Sequence, residues 1–295
     1  MSDMEQLILA VDGGGTFLKA ALFRGMELID GTFMSIPACS SGTAEEIAGA
    51  FRTLSREARS RAAALRGVIT AVGVGMPGPF DYRTGTLQMD HKFAAAKGMA
   101  IAPWLTESIG DVPVRFGHDA SVFFRGGVYL EDMGAHRNLC GATLGTGLGF
   151  GSMKDGTILI KETGYPQITI WGREYRDSIA EDYVSRRAVI REYEAASGKT
   201  GLDVYEISLL ARSGDSAAQH AFDELGRNLG AVVKGVLIEN GFTAFLLGGA
   251  ISKSADLLMP ALLRELGDMP FTPEVRAVRD IDNAPLYGAA AMCLA

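Results

Sequence analysis

The chain has 295 residues, of which 47% are apolar and 21% charged, so its length and composition favour two folded lobes over disorder. The net charge is −7, and the densest basic run, between Arg52 and Arg66, lies in a helical pattern among alanines and glutamates, so we expect no nucleic-acid partner. No segment approaches the roughly 18–20 consecutive apolar residues that span a bilayer, so we expect no membrane partner.

The predicted elements of the first half are closely spaced strands, one long helix and further strands. A capping box of Thr43 and Glu46 predicts the start of the helix, and Gly67 is expected to end it. Another helix is predicted to begin near Ala120. The strands are predicted at residues 7–11, 17–23, 27–33, 68–74 and 112–116.

The second half repeats this plan. Asp155-Gly156 predicts a tight hairpin turn, and Gly241 is expected to end a long helix over 216–240. Each half opens with a strand, a Gly/Thr turn and a returning strand, which indicates an internal duplication and an α/β class. The predicted strands are 139–144, one through Phe150 and Met153, 157–160 and 245–247, and the last helix is 285–294.

Three strands end in glycine-rich turns. Backbone N–H groups in such turns can point together and bind anions, and the hydroxyls of Thr16 and Thr146 and the charge of Lys19 would add to this. Asp12 is suited to hold a hydrated Mg²⁺. A single turn of this kind would be read as a simple strand connection, but three with these neighbours favour phosphate binding. The turns are Gly13-Gly14-Gly15-Thr16, Gly145-Thr146-Gly147-Leu148-Gly149 and Gly248-Gly249-Ala250.

Two familiar nucleotide motifs do not fit the chain. The segment Gly73–Gly78 matches G-x-G-x-x-G, but Pro77 and Pro79 prevent the helix that a dinucleotide fold requires there. The Walker A pattern is absent. A dehydrogenase and a P-loop NTPase are therefore poor interpretations.

The motifs together resemble the ROK family of sugar kinases and repressors, in order and spacing over nearly the whole chain. The segments that carry the resemblance are Leu9-Ala-Val-Asp12-Gly-Gly-Gly-Thr16 with Lys19, Gly73-Val-Gly-Met-Pro-Gly78-Pro-Phe-Asp81, Gly117-His-Asp119-Ala-Ser121, Leu144-Gly-Thr-Gly147-Leu-Gly149 and Leu246-Leu-Gly-Gly249-Ala-Ile-Ser252. The resemblance implies a two-lobed actin-like ATPase (ribonuclease H-like) fold with duplicated sheets and a cleft between lobes. The expected lobes are 1–117, on which a C-terminal helix at 284–295 packs, and 118–283.

The resemblance also implies roles for individual residues. Asp119 would be the general base that accepts a proton from a sugar hydroxyl, although Asp is also a favoured helix N-cap at such a position. The phosphates of ATP would be bound by Asp12, Gly13, Gly14, Gly15, Thr16, Lys19, Gly145, Thr146, Gly147, Gly248 and Gly249. The sugar would be bound by Gly78, His118, Asp119, Glu162, Tyr165 and Glu181. The alternative for both glutamates is an exposed surface position, and for His118 a structural role.

The chain departs from the family at its zinc site. The family's three cysteines are missing from the segment 170–181, and Tyr165 replaces its histidine. Structural zinc needs four such ligands, so we predict no zinc site. The three cysteines present, Cys39, Cys140 and Cys293, occur singly, and the first residues are acidic, which together predict reduced thiols and a cytoplasmic protein.

The leading functional hypothesis is an ATP- and Mg²⁺-dependent kinase for a hexose, such as a glucose-like or amino sugar. The alternatives are a sugar- or nucleotide-binding sensor without turnover, or a kinase for a non-hexose polyol. The family's repressors carry an N-terminal DNA-binding domain, for which we expect no room before a first strand that begins near Gln6. A homodimer is the family's usual assembly and is expected here.

Overall fold

The computed structural model describes residues 4–294 and confirms the predicted α/β class. The helices in this range are α1 (Ala44–Ala64), α2 (Ala102–Thr106), α3 (Asp119–Leu130), α4 (Ala180–Tyr183), α5 (Arg186–Ser197), α6 (Val204–Arg212), α7 (Ser216–Asn240), α8 (Ala255–Leu266) and α9 (Ala284–Leu294). The strands are β1 (Glu5–Gly13), β2 (Phe17–Arg24), β3 (Glu27–Leu28), β4 (Met34–Pro37), β5 (Gly67–Met76), β6 (Phe80–Asp81), β7 (Thr86–Leu87), β8 (Val114–His118), β9 (Leu139–Leu144), β10 (Leu148–Lys154), β11 (Thr157–Ile158), β12 (Glu174–Tyr175), β13 (Ser178–Ile179), β14 (Ala244–Gly248) and β15 (Glu274–Ala277).

The chain divides into two compact units, each with its own sheet and core. The first contains residues 4–129, Ile160–Pro166 and 282–294, and the second contains Leu130–Leu159 and Gln167–Ile281. Across residues 4–294, no helix is both long enough and apolar enough to cross a membrane.

The sheet of the first unit has the order β3-β2-β1-β5-β8, with β4 paired to β2. β1 is antiparallel to β2 and parallel to β5, which is parallel to β8. The register aligns Asp12 with Gly75, and Gly75 with Gly117. Because the carboxyl ends of parallel strands lie at one edge of a sheet, the loops that follow β1, β5 and β8 meet there.

The predicted hairpin of three strands needs one correction. β1 and β2 form as expected, but the strand predicted over 27–33 stops after Leu28. Gly31 has a φ of 74°, and the Thr32 hydroxyl donates to the Ile29 carbonyl and accepts from the Leu22 N–H, so a turn replaces the strand. The chain then returns as β4, which the sequence analysis did not predict, and pairs with β2.

The helix α1 begins as predicted but ends differently. The side chains and backbones of Thr43 and Glu46 form the capping box. At the other end, Leu65 is the C-cap, and it is Arg66 that takes the left-handed conformation, with a φ of 56°. Gly67 already belongs to β5, where a Cβ would lie 2.5 Å from the Leu7 side chain. The glycine is therefore needed for strand packing rather than for ending the helix.

The last helix, α9, packs closely in the first unit through its small residues. A Cβ on Gly288 would lie 1.8 Å from the Val122 carbonyl oxygen of α3, and a Cβ on Gly73 of β5 would lie 2.0 Å from the Ala289 carbonyl oxygen. Ala289 and Ala290 are buried together with Ala10 and Val122. Larger side chains would separate α9 from α3 and from the sheet.

The sheet of the second unit has the order β11-β10-β9-β14-β15. The predicted hairpin turn forms at Asp155 and Gly156, whose φ angles are 51° and 81°. The predicted long helix is α7, which Asp215 caps at its start and Gly241 at its end. As in the first unit, an antiparallel pair (β10 and β9) continues into parallel strands (β14 and β15), in agreement with the predicted duplication.

Candidate active site

Asp12 is the last residue but one of β1, the central strand of the first unit, and is partly buried. It lies opposite Lys19 in the β1–β2 pair. Burial and, to a smaller extent, the negative charge of Asp119 raise the pKa of the Asp12 carboxyl to about 6, although the positive charge of Lys19 opposes both. The Lys19 ammonium is also 4.0 Å from the Asp282 carboxylate. The structure thus brings together three predicted site residues, Asp12, Lys19 and Asp119, within electrostatic reach of one another.

Residues that follow β4, and the more distant Lys92, contact the glycine turn after β1. The Ser40 hydroxyl donates to the Gly15 carbonyl, and the Ala38 N–H donates to the Thr16 carbonyl at 2.9 Å. The Lys92 side chain lies across the turn, where a Cβ on Gly15 would be 2.9 Å from its Cδ. Lys92 therefore adds a second cation beside Lys19. Lys92 is distant from Gly15 along the chain and matches no motif, so the sequence alone does not indicate this contact.

Asp119 is the first residue of α3, directly after β8. Its Oδ1 accepts a hydrogen bond of 2.7 Å from the Ala120 N–H. This bond satisfies a donor of the first helical turn and orients the carboxylate. Asp119 is thus the first residue of the helix rather than the N-cap that was the alternative to catalysis, and its side chain, which is 48% exposed, keeps a second oxygen for chemistry.

His118 lies in an aromatic cluster beside Asp119. Its ring is 5.9 Å from the Tyr82 ring and 5.7 Å from the Tyr165 ring, and the two tyrosine rings are 5.1 Å apart, edge to face. The buried Nδ1 is 3.1 Å from Asp119 Oδ1 but makes no hydrogen bond of acceptable geometry within residues 4–294. Buried polar atoms are normally paired, so this nitrogen lacks a partner that the described residues do not supply.

Tyr165 connects two loops of the first unit. Its hydroxyl accepts a hydrogen bond of 3.0 Å from the Phe80 N–H, and its ring packs on Gly78, where a Cβ would be 2.9 Å away. Tyr165, which stands where the resemblance implies the family's histidine, fixes its segment against the loop after β5. Nearby Glu162 is exposed and has no ion pair or side-chain hydrogen bond within residues 4–294.

The second unit contains a cavity of about 330 Å³ at the turn after β9. Gly145 and Thr146 form part of its wall, and the charged side chains of Arg186, Asp203 and Lys253 form another part. The Arg186 N–H also donates to the Gly145 carbonyl at 2.9 Å. The cavity is further lined by Val204, Tyr205, Ala250, Ile251 and Ser254.

The turn after β14 reaches the same cavity through Ala250. Gly248 ends the strand, and Gly249 follows with a φ of 83°. A Cβ on Gly249 would lie 2.4 Å from the Leu144 carbonyl oxygen, at the end of β9. The position therefore requires glycine twice, for its backbone conformation and for close contact with the neighbouring strand. Two of the predicted phosphate-binding turns thus meet within this unit.

Glu181 lies at the glycine turn of the second unit. Its Oε2 accepts a hydrogen bond of 3.0 Å from the Leu148 N–H, and its carboxylate lies next to Gly147. Its Oε1 is 3.4 Å from the Arg187 guanidinium. These contacts support the turn, and the predicted role of Glu181 in sugar binding stays a prediction.

Contacts between arginines and tyrosine rings hold the segment around Tyr175, in the region where the family's cysteines are missing. The guanidinium of Arg176 lies 5.5 Å from the Tyr175 ring and 5.2 Å from the Tyr183 ring, and Arg191 lies 5.3 Å from the latter. The two tyrosine rings contact edge to face at 5.4 Å. Among residues 4–294, no group of three or more His, Cys, Asp or Glu side chains is arranged to hold a metal ion. A cation held by Asp12 through water would need no such group.

The chain is similar to known proteins over most of its length. The ROK family model matches residues 8–167 and 176–295. The chain is 25% identical to a glucokinase of Thermotoga maritima over 249 residues, which cover 75% of this chain and 78% of that protein.

Two solved structures share the fold. One is a ROK family glucokinase from Streptomyces griseus in complex with glucose and AMPPNP, with a TM-score of 0.77, 23% identity, and coverage of 97% of this chain and 98% of that one. The other is a ROK family transcriptional regulator, a homologue of the E. coli MLC protein, with a TM-score of 0.79, 20% identity, and coverage of 98% of this chain and 78% of that one. These matches confirm the predicted actin-like ATPase class of fold, and the chain belongs to the ROK family.

Proposed function

We propose that the protein is an ATP-dependent sugar kinase that transfers the γ-phosphoryl group to a hydroxyl of a hexose. The observation that carries the proposal is the pair of carboxylates at the carboxyl ends of β1 and β8. Asp12 and Asp119 are close enough for the charge of one to raise the pKa of the other. Two carboxylates held at one sheet edge match the needs of phosphoryl transfer, which are metal binding and orientation of the attacking hydroxyl.

Asp119 acts as the general base in this proposal. Its Oδ1 is held by the Ala120 N–H, which leaves Oδ2 to accept the proton of the sugar hydroxyl. Proton removal makes the hydroxyl oxygen a better nucleophile at the moment it attacks phosphorus. The unpaired Nδ1 of His118 gives the sugar a second contact.

The sugar would lie against the rings of Tyr82, His118 and Tyr165. Aromatic rings offer an apolar surface with polar edges, which suits the C–H face and the hydroxyls of a pyranose. Glu162 is the proposed carboxylate contact to further hydroxyls on the first unit, and the sugar-binding role of Glu181 stays a prediction. A glucose-like sugar fits the relatives, since two of them are glucokinases, and an amino sugar is the other hexose that we propose.

Asp12 and the glycine turns would hold Mg²⁺ and ATP. Partial burial of the Asp12 carboxylate raises its pKa, and a bound cation would favour its ionised form, so the residue fits a metal carried with phosphate. Mg²⁺, when bound, supplies charge neutralisation for the phosphates of ATP. Lys19, Lys92 and the N–H groups of Gly13 to Thr16 contribute positive potential on the first unit. Within the second unit, the cavity bounded by Gly145, Thr146 and Arg186 is itself a candidate for nucleotide binding.

A sensor without turnover is the second candidate, because a transcriptional regulator is among the structures with this fold. A kinase for a polyol is a third, since His118 and Tyr165 depart from the family pattern. For all three we expect a cytoplasmic protein that forms a homodimer and carries no structural zinc.

The test is ADP release from ATP with Mg²⁺ across a panel of hexoses, amino sugars and polyols. A sugar-dependent rate, with a phosphorylated sugar identified by ³¹P NMR, is the expected result and would name the substrate. Binding of a sugar or of ATP without any turnover would favour the sensor. Turnover of polyols alone would favour the third candidate.

A further inference from the structure

A second cavity, of about 370 Å³, lies along β8, the outer strand of the first unit's sheet. Its wall includes Arg115 of β8, Arg125 of α3 and Met292 of α9, and the other lining residues are Tyr82, Val114, Phe116 and Ile160. None of the residues that line the cavity is acidic. None belongs to the glycine turns or to the pair of carboxylates described above, so the cavity is separate from the proposed phosphate-binding groups.

The two arginines of this cavity are unpaired. Neither Arg115 nor Arg125 forms an ion pair or a side-chain hydrogen bond with any residue of the described range 4–294. By contrast, Arg24, Arg173 and Arg212 each pair with a carboxylate. A guanidinium has five donors in a planar fork, and a partly buried one without an acceptor is unfavourable.

The surroundings of Arg125 do not compensate its charge. The side chain is partly buried, and burial alone lowers the pKa of its guanidinium from the usual value. The thiol of Cys293 is close enough to Arg115 for the two to interact electrostatically. It does not neutralise the arginine as a thiolate, because burial raises the pKa of the thiol to about 11. An anion from solution would offset the cost of burying Arg125.

The cavity also has an apolar part. Phe116 and Met292 line it, and Ile160 lies at its wall with 49% of its surface exposed. Arginine forks bind carboxylates and phosphates through two parallel hydrogen bonds, and a volume of about 300 Å³ or more is typical of small-molecule sites. We propose that this cavity binds a small organic anion, a carboxylate or a phosphate ester, which pairs with Arg115 and Arg125 and places its apolar part against Phe116, Ile160 and Met292.

Tyr82 places this anion site next to the proposed sugar site. Its ring lines the cavity and also contacts the rings of His118 and Tyr165. Its hydroxyl is fixed by a hydrogen bond of 3.0 Å to the Met76 carbonyl, so the ring forms a firm wall between the two sites. The anion would therefore bind behind the sugar site rather than within it.

Calorimetric titration of the full chain with phenyl phosphate and with benzoate tests the proposal, with benzyl alcohol as the neutral counterpart. We expect saturable binding of an anion, and a loss of at least about tenfold in affinity for Arg125→Met and for Arg115→Gln, because each removes charge-assisted hydrogen bonds. Arg59→Gln, which changes an exposed arginine of α1, and Lys19→Gln, which changes the glycine-turn site, should leave the affinity within about twofold.

Three results would overturn the proposal. The first is the absence of saturable binding by either anion, and the second is benzyl alcohol binding as tightly as the anions. The third is an affinity that depends on Lys19 and not on the two arginines, which would place phenyl phosphate at the glycine turn. Because Arg115 is exposed, Arg115→Gln should fold even if Arg125→Met does not, and it then decides the question alone.

Discussion

The Nδ1 atom of His118 lies 3.1 Å from Oδ1 of Asp119 without forming a hydrogen bond. The Asp119 oxygen already accepts from the Ala120 N–H, and the His118 ring is confined by two tyrosines. A buried ring nitrogen thus remains without a hydrogen-bond partner beside the proposed base. A sugar hydroxyl that satisfied this nitrogen would also be placed near the carboxylate that is to accept its proton.

We predict that His118→Phe raises the KM for the sugar substrate by about tenfold, because the substitution keeps an aromatic ring but removes the hydrogen bond to the sugar. The kcat should change less than KM, since Asp119 is retained. Steady-state kinetics with the identified sugar will measure both. His220→Phe, at an exposed position, is the control, and an unchanged KM in His118→Phe would show that this nitrogen does not contact the sugar.

The raised pKa of Asp12 in the folded protein predicts how the free energy of unfolding depends on pH. Its pKa is about 6 in the folded protein, against 3.8 without burial, so the folded state binds more protons between these values. Stability should therefore fall as pH rises from about 4 to about 6. At about pH 7.5 the ionised Asp12 carboxylate lowers the free energy of unfolding by on the order of 3 kcal/mol, and at about pH 4.5 it lowers it by less.

The substitution Asp12→Asn removes this cost. We predict a higher midpoint of thermal unfolding than wild type at about pH 7.5, and a smaller gain at about pH 4.5. The same variant should lose activity, because an amide cannot replace the carboxylate at a cation. The exposed Asp111→Asn is the matched control. If Asp12→Asn raised the midpoint of thermal unfolding equally at both pH values, the raised pKa of Asp12 would be contradicted.

Lys92 is predicted to take part in ATP binding. Its stem lies across Gly15, and its charge is placed to contact a phosphate bound by the turn. Lys92→Ala should raise the KM for ATP by about three- to tenfold, since one charge-assisted contact is lost. Lys97→Ala removes a nearby exposed lysine that pairs with Asp90, and should have little effect. Equal KM values in the two variants would mean that Lys92 only covers the turn.

Tyr165 is predicted to stabilise the first unit through its hydroxyl. Tyr165→Phe leaves the N–H of the buried Phe80 without its acceptor, at a cost of about 1–2 kcal/mol. The midpoint of thermal unfolding should fall by several degrees, at about 2–4 °C per kcal/mol for a unit of this size. Tyr129→Phe, at a position 50% exposed, is the control. An unchanged midpoint for Tyr165→Phe would show that water replaces the lost acceptor.

Much of the fold was predictable because its signals are local. The capping box at Thr43, the Asp155-Gly156 turn and the periodicity of α7 each act over a few residues, and each formed as expected. The errors arose where tertiary contacts decide the outcome. Arg66 rather than Gly67 takes the left-handed conformation, because Gly67 is needed where β5 packs on Leu7.

The candidate site was predictable where residues follow strands in a motif, as Asp12 and Asp119 do. It was not predictable where distant segments meet. Lys92 reaches Gly15, and Tyr82 packs on both His118 and Tyr165, through folding of loops that carry no sequence signal. The unpaired nitrogen of His118 is likewise visible only in three dimensions.

The measurement that tests the central claim most directly is a single turnover of γ-labelled ATP with the identified sugar, for wild type and Asp119→Asn. Asparagine keeps an oxygen that can accept from the Ala120 N–H but is a poor base, so the variant should fold and bind both substrates. We predict that transfer slows by about 10²- to 10⁴-fold, while both affinities, measured by calorimetry, stay within about threefold of wild type. Transfer at the wild-type rate by the folded variant would contradict the role of Asp119 as the general base.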